Sequence, residues 1–306
     1  MIVLRVGTRG SPLALTQTDW VIERLRAAHR GLLVERIIIE SEGDRLREAS
    51  LLTIGGQGVF TRALELALLD GEIDVAVHSL KDLPSTLPEG LFLAATPARE
   101  ESRDLLLTRN GLSLSDLPEG AIVGTGSLRR RAQLLAQRPD LAMKDIRGNV
   151  DTRLAKLERG EYDAIVLAAA GLSRLGWLER TPSQPLGLEV MLPAPAQGIL
   201  GLECREPDEA TRGLLSAIND DSTLAAATAE RAVLRRFGIG CRLPLAALAT
   251  AEGDTLTVQA RVLASDGHLA FNAVTSGPLA DAAALGEQAA EQLVTQGALT
   301  LLEDLL

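Results

Sequence analysis

Residues 2–39, IVLRVGTRGSPLALTQTDWVIERLRAAHRGLLVERIII, decide the fold class. Ile2 to Val6 is apolar and β-rich, and it leads into a short polar loop. Ser11 stands where a helix N-cap is needed, and Pro12 follows at the first helical position, where a missing N–H costs nothing. Trp20, Val21, Leu25 and Ala28 recur at helical spacing on one face, and Gly31 ends the helix. Val34 to Ile39 is the next apolar run and reads as a buried strand. Strand, helix and strand in succession is the grammar of an α/β protein.

That grammar continues along the chain. Phe60 to Leu69 reads as a helix stopped near Gly71, and Ile73 to Ser79 (IDVAVHS) as a strand. The Pro84 to Gly90 segment breaks the pattern before a further strand, Leu91 to Thr96. A second unit begins near Glu100, with strands at Asp104 to Thr108, Ala121 to Thr125 and Ala164 to Ala168. Its helices are capped by Ser127 and Asn149 and end by Pro139 and Gly160. Alternation of this kind predicts parallel sheets with helices on both faces.

PAPAQG, residues 193–198, reads as a crossing segment that returns the chain to the first unit through Ile199 to Arg205. From about Ser222 the pattern changes to a long helix, Leu224 to Arg236, and a Gly-rich turn. Strands follow, with hairpin signals at Glu252-Gly253-Asp254 and Asp266-Gly267, then a helix from about Asp281. The expected organisation is residues 1–98 with 198–217, residues 99–197, and a small α+β domain over residues 218–306.

Composition narrows the function classes. Of the 306 residues 46% are hydrophobic but only 2% aromatic, so the core must be built from Leu, Ala, Val and Ile. A formal charge of -10 argues against nucleic acid or an anionic membrane as partner, since both need clustered positive charge. The N-terminal run lacks the basic-then-apolar order of an export signal, and no stretch approaches a membrane span. Cys204 and Cys241 are too few for a disulfide framework, and His29, His78 and His268 are scattered. A cytoplasmic chain without a bound metal is the expectation.

Anion chemistry is concentrated at strand-to-helix junctions. Arg9 precedes Ser11, Arg129 and Arg130 follow Ser127, and Arg147 precedes Asn149. Helix N-termini expose unpaired N–H groups, and Arg adds bidentate recognition, so the placement suits carboxylate or phosphate. Arg153 and Arg174 could join from the same side, because ligands of open α/β sheets gather at the carboxyl ends of strands. The alternative is that these arginines are solvated surface charges. No Walker-type loop is present, since GGQGVF (residues 55–60) lacks the Lys-Ser/Thr ending.

Asp82 closes HSLKD beyond the IDVAVHS strand, with Lys81 beside it. A carboxylate there can stabilise a developing cation and relay protons, or can simply cap the turn before Leu83-Pro84. His78 reads as structural and Cys204 as a small buried hydrophobe. Cys241, among Gly238, Gly240 and Pro244, reads as an accessible thiol available as a covalent anchor.

GTRGSPLALTQ, DVAVHSLKDLP, VGTGSLRRRAQL, DIRGNVDTRL, DAIVLAAAGLSRL, PAPAQGILGLECR and AERAVLRRFGIGCRLPLA occur in this order. Together they resemble the hydroxymethylbilane synthase (porphobilinogen deaminase) family over nearly the whole chain. The resemblance implies two periplasmic-binding-protein-like α/β domains joined by a hinge, with the active cleft between them, plus a small C-terminal α+β domain. It implies a monomer whose substrate is porphobilinogen and whose dipyrromethane cofactor is thioether-linked to Cys241. Each porphobilinogen would lose ammonia to an azafulvene that the terminal pyrrole attacks, and hydrolysis after four additions would release linear hydroxymethylbilane.

Carried over residue by residue, Asp82 becomes the catalytic carboxylate. Ser79, Lys81, Thr125, Ser127, Arg129, Arg130, Arg147, Gly148 and Gln197 become cofactor contacts, and Arg9, Ser11, Phe60, Arg153 and Arg174 substrate contacts. Two positions depart from the family pattern. Gln57 stands where the family commonly has Lys in its GGKG segment, and Arg242 follows the tether cysteine in GIGCRLPLA. The competing readings are a non-catalytic polycarboxylate-binding module, against which an accessible cysteine on an appended domain counts, and an inactive paralogue of the synthase.

Overall fold

The computed structural model describes residues 3–40, 61–238 and 244–303. The chain forms two compact units, residues 1–100 with 198–224 and residues 101–197 with 225–306.

The first unit opens with β1 (Val3–Thr8), α1 (Pro12–Ala28) and β2 (Leu33–Ile38). Ser11 caps α1 by accepting from the Ala14 N–H at 3.4 Å. The buried face of α1 is Gln17, Thr18, Val21, Ile22 and Leu25, whereas Ala28 is exposed. The buried face is therefore rotated from the apolar face expected from the sequence, and it takes in Gln17, whose amide bonds to the half-buried Ser79. The sheet is completed by β3 (Val75–Ser79), β4 (Leu91–Ala95) and β10 (Leu200–Arg205), in the order β2-β1-β3-β10-β4. β2 is thus an edge strand with mostly exposed or half-exposed residues, not the buried strand its apolar run suggested. α2 (Arg62–Leu69) packs Leu64 and Leu68 against Ile73 and Leu91.

The expectation of wholly parallel sheets is corrected. β1 is parallel to β2 and β3, but β10 runs antiparallel to both β3 and β4. The returning segment enters the sheet from the opposite end, so its first residues lie beside the last residues of β3, with Leu200 opposite Ser79.

Asp74 ties these strands together at the other end of β3. Its carboxylate accepts from Arg5 N at 3.0 Å, Arg5 Nη2 at 2.7 Å and Arg205 Nη2 at 2.8 Å, joining β1, β3 and β10. Partial burial works to raise the Asp74 carboxyl, but the bonds from Arg5 and Arg205 outweigh it and hold the group below its ordinary value. A depressed carboxyl contributes stability that is present above its unfolded value of about 3.9 and is lost as pH falls through the folded value. Asp74→Asn is expected to remove about 1–2 kcal/mol, solvent screening included, and to flatten the acid limb of the stability curve below about pH 4. Unfolding midpoints equal to wild type at pH 7 would show that the clamp contributes nothing.

The second unit holds another five-stranded sheet, from β5 (Asp104–Thr108), β6 (Ile122–Gly124), β7 (Ala142–Lys144), β8 (Ala164–Ala168) and β9 (Ser183–Pro185). Its order is β7-β6-β8-β5-β9, with β6 parallel to β7 and β8, and β5 antiparallel to β8 and β9. Reading each sheet from its first edge gives the same sequence of parallel and antiparallel pairings as in the first unit. Helices α3 (Leu128–Gln137), α4 (Val150–Glu158) and α5 (Ala169–Arg174) follow β6, β7 and β8.

The same unit includes most of α7 (Asp221–Phe237), which follows α6 (Glu209–Ser216) of the first unit. It also includes an antiparallel meander, β11 (Leu245–Glu252), β12 (Thr255–Leu263) and β13 (Ala270–Pro278), covered by α8 (Ala282–Thr295). Val233, Phe237, Val258, Leu285 and Leu293 share its core. This is the small α+β portion expected from the change of pattern after Ser222. Gly267, at φ 78°, lies so close to the Ala132 carbonyl and the Ala136 backbone of α3 that a Cβ has no room.

Candidate functional site

In the first unit the expected site residues gather where β1 and β3 end. These parallel neighbours finish on the same edge, which brings Arg9 and Ser11 to the side where Ser79, Lys81 and Asp82 leave β3. The Gln17 amide of α1 donates to Ser79 Oγ at 3.0 Å, tying helix to strand end. Beyond Ser79 the chain makes one 3-10 turn, Leu80–Asp82, with the Leu83 N–H on the Leu80 carbonyl at 3.2 Å. Leu80 also donates its N–H to Ile199 O at 2.9 Å. Leu80 and Leu83 are buried, so they pin the turn from inside while Lys81 is half-buried and Asp82 exposed. A turn anchored at both ends by leucine side chains presents the intervening carboxylate without a flexible loop.

His78 points the other way from Ser79, as alternate strand residues must. It is buried, with Nε2 3.0 Å from the Glu203 carboxylate of β10, a pairing that fits its reading as structural. Cys204 is fully buried, and burial pushes its thiol up to about 11. It is the small inert hydrophobe read from the sequence.

In the second unit β6, β7 and β8 are parallel and end on one edge. Thr125 and Ser127 follow β6, Arg147 and Gly148 follow β7, and Arg174 lies in the last turn of α5 after β8. Thr125 is buried and its Oγ1 accepts from the Ser127 N–H at 3.1 Å. Ser127 Oγ in turn accepts from the Arg130 N–H at 3.4 Å and caps α3. Asn149 occupies the cap position of α4 without a side-chain cap bond. Arg147 lies 3.8 Å from the Asp145 carboxylate, and Arg153 Nε donates to the Gly148 carbonyl at 2.8 Å. Gly148 has φ 108°, and a Cβ there would run into the Thr152 side chain.

Arg129 and Arg130 are neither solvated nor open at the helix end. Both are buried, and both pair with Asp104, at 2.8 and 2.7 Å. Gln197 joins them, donating to Asp104 Oδ1 at 2.9 Å and to the Ser102 carbonyl at 2.8 Å. Gln197 follows Ala196, whose φ of 62° is unusual for a residue with a side chain. The buried Glu230 of α7 holds that conformation by accepting the Ala196 N–H, and it also accepts the Ala249 N–H at 2.7 Å. Burial pulls the Arg129 guanidinium below its ordinary value, against the attraction of Asp104 and with the repulsion of Arg130. Its Nε–H is buried and has no partner among the described residues.

Asp104 and Glu230 are the residues that sequence reasoning missed. Asp104 had one signal, a lone charge opening the apolar strand DLLLT. Glu230, inside a long amphipathic helix, had none. Cys241, Phe60, Gln57 and Arg242 lie outside the described residues. No helix among the described residues is long and apolar enough to cross a membrane.

Two family models match the chain in order. The one described as porphobilinogen deaminase, dipyromethane cofactor binding domain, covers residues 4–213, and the porphobilinogen deaminase C-terminal domain covers residues 224–295. The porphobilinogen deaminase of Geobacillus kaustophilus is 49% identical over 97% of this chain and 96% of its own length. That of Streptococcus sanguinis is 48% identical over 97% of each. Among solved structures, the BvgS VFT2 domain of Bordetella pertussis is a distant likeness, 16% identical with a TM-score of 0.43 over 71% of this chain and 86% of that one. Near-half identity along almost the entire chain, with both family models in sequence, places it in the porphobilinogen deaminase family.

Proposed function

We propose that Asp82 is the catalytic carboxylate of this chain, and that Arg9, Arg129, Arg130, Arg147, Arg153 and Arg174 hold carboxylates of primer and substrate. The reaction is the family's, a transferase activity: deaminating condensation of four porphobilinogen molecules on dipyrromethane, then hydrolytic release of linear hydroxymethylbilane. Dipyrromethane, when bound, supplies the pyrrole to which each new unit is joined. The residues present suit such a polyanionic group: two buried guanidiniums share one carboxylate, and a buried Arg129 Nε–H has no partner among the described residues.

The observation that carries the proposal is the presentation of Asp82. An exposed carboxylate on a turn fixed by two buried leucines can face a developing cation and stabilise it, and it can accept or return a proton at its Oδ atoms. Lys81 beside it supplies a positive charge for a carboxylate of the primer. Ser79, Thr125, Ser127, Gly148 and Gln197 complete the cofactor contacts, with Ser11 and Phe60 on the substrate side. Cys241 is the covalent anchor.

The arginine assignments have their own test. Arg147→Leu should slow chain elongation or primer assembly about ten- to hundredfold, the weight of one charge-assisted carboxylate contact. Unchanged kinetics in a folded variant would return Arg147 to the solvated surface.

Three further expectations belong to the proposal. The -10 charge supports a chain with no nucleic-acid partner, and two cysteines, too few for a disulfide framework, support a reducing, cytoplasmic location. The chain divides into residues 1–98 with 198–217, 99–197 and 218–306, and the break between the family models, after 213 and before 224, supports the last of these boundaries.

A further inference from the structure

Asp104 is the only charged residue of its strand, and it is fully buried. β5 runs antiparallel to β8 with Asp104 opposite Ala168, so this first residue of β5 lies at the edge where β8 ends. Four donors converge on its two oxygens: Arg129 Nη2 at 2.8 Å, Arg130 Nε at 3.2 Å, Arg130 Nη2 at 2.7 Å and Gln197 Nε2 at 2.9 Å. Each guanidinium is fixed on its other side by a backbone carbonyl. Arg129 Nη1 donates to Leu192 O at 2.7 Å, and Arg130 Nη1 to Val166 O at 2.9 Å. A planar group held through two of its nitrogens has no freedom to turn.

The charge count is uneven. Among the described residues Asp104 alone pairs with these two arginines, so two buried cations face one buried anion. Arg129 Nε–H, also buried, is left without an acceptor. Without Asp104 the two guanidiniums would repel each other in a medium that screens poorly, and neither would keep its orientation.

We propose that Asp104 is a positioning residue, which holds the Arg129 and Arg130 guanidiniums as one fixed array whose unmatched positive charge attracts, and whose Nε–H donates to, a single carboxylate of the primer. The inference rests on the reading that these arginines bind primer, and it assigns Asp104 no contact with the reacting atoms. It makes geometry, not just charge, the property that matters.

The full-length protein carries the test, read by intact mass for primer occupancy of the folded fraction and by porphobilinogen turnover. Asp104→Asn keeps the shape, removes the charge and turns an amide donor toward guanidinium donors. Its folded fraction should carry less primer and turn over at least about tenfold more slowly. Asp104→Glu keeps the charge but moves the carboxylate by one methylene, and should also slow turnover about tenfold or more through misplacement. A structural role would change the yield of folded protein without changing its primer occupancy. Wild-type occupancy and turnover in Asp104→Glu overturns the inference, and that variant decides the matter if Asp104→Asn does not fold. Slow Arg129→Leu and Arg130→Leu variants beside a normal Asp104→Glu would sink the role of Asp104 and leave that of the arginines standing. Normal arginine variants would sink both.

Discussion

Asp82→Asn is expected to fold, to carry its primer and to lose turnover by about a hundredfold or more, the usual weight of a positioned acid–base group. The amide is nearly isosteric with the carboxylate, and residue 82 is exposed at the end of a turn held by Leu80 and Leu83, so packing gives the substitution little to disturb. What it removes is chemical. An uncharged amide neither stabilises an adjacent cation nor takes up and returns a proton at neutral pH. Asp82→Glu restores the charge on a longer arm and should recover part of the rate. Purified Asp82→Asn converting porphobilinogen at close to the wild-type rate would reduce Asp82 to a turn residue.

Local features of the site were legible because their causes are local. Ser11-Pro12 and Ser127 cap their helices by side-chain bonds to N–H groups three residues on, which a short window of sequence contains. Asp82 after an apolar strand is equally local. Asp104 was not legible as a partner, because its arginines lie 25 and 26 residues away and Gln197 lies 93 away. Only the antiparallel insertion of β5 between β8 and β9 brings them to one edge. The same cause misled the reading of the sheets, since apolar runs do not encode strand direction. Gln17 shows a related limit: a polar residue on the buried face of α1 looks misplaced until its partner Ser79, 62 residues on, is known.

The two sheets also share one way of bracing the candidate site loops. In each, a strand running against its neighbours delivers its first residues to the edge where the parallel strands end. In the first unit this sets Leu200 opposite Ser79 and supplies the Ile199 carbonyl that holds the Asp82 turn. In the second it sets Asp104 opposite Ala168 and supplies the carboxylate that holds the arginines. The candidate site loops are thus braced at or beside strand starts, with the loop residues Leu192 and Gln197 adding bonds of their own.

Cys241→Ser is expected to yield protein with no primer and no measurable turnover. The chain has two cysteines, and their chemistry separates them. Cys204 is fully buried in β10, and its thiol, pushed up to about 11, has a negligible thiolate fraction near neutral pH. Cys241 lies outside the described residues, in the Gly-rich stretch of sequence GIGC. A thioether does not dissociate, so a primer anchored there would stay through repeated condensations, and serine has far too weak a nucleophile at neutral pH to replace it. Intact wild-type protein should therefore weigh more than its sequence by one dipyrromethane, with the adduct on the peptide containing Ile239 to Leu243. Cys204→Ala should keep the primer and most of the activity. Loss of a tightly held polyanion also removes its stabilisation of the folded state, so Cys241→Ser should unfold at a lower temperature than wild type. An active preparation with no adduct would overturn the anchor and require a non-covalent mode of primer retention, and an adduct mapped to Cys204 would move the anchor to that thiol.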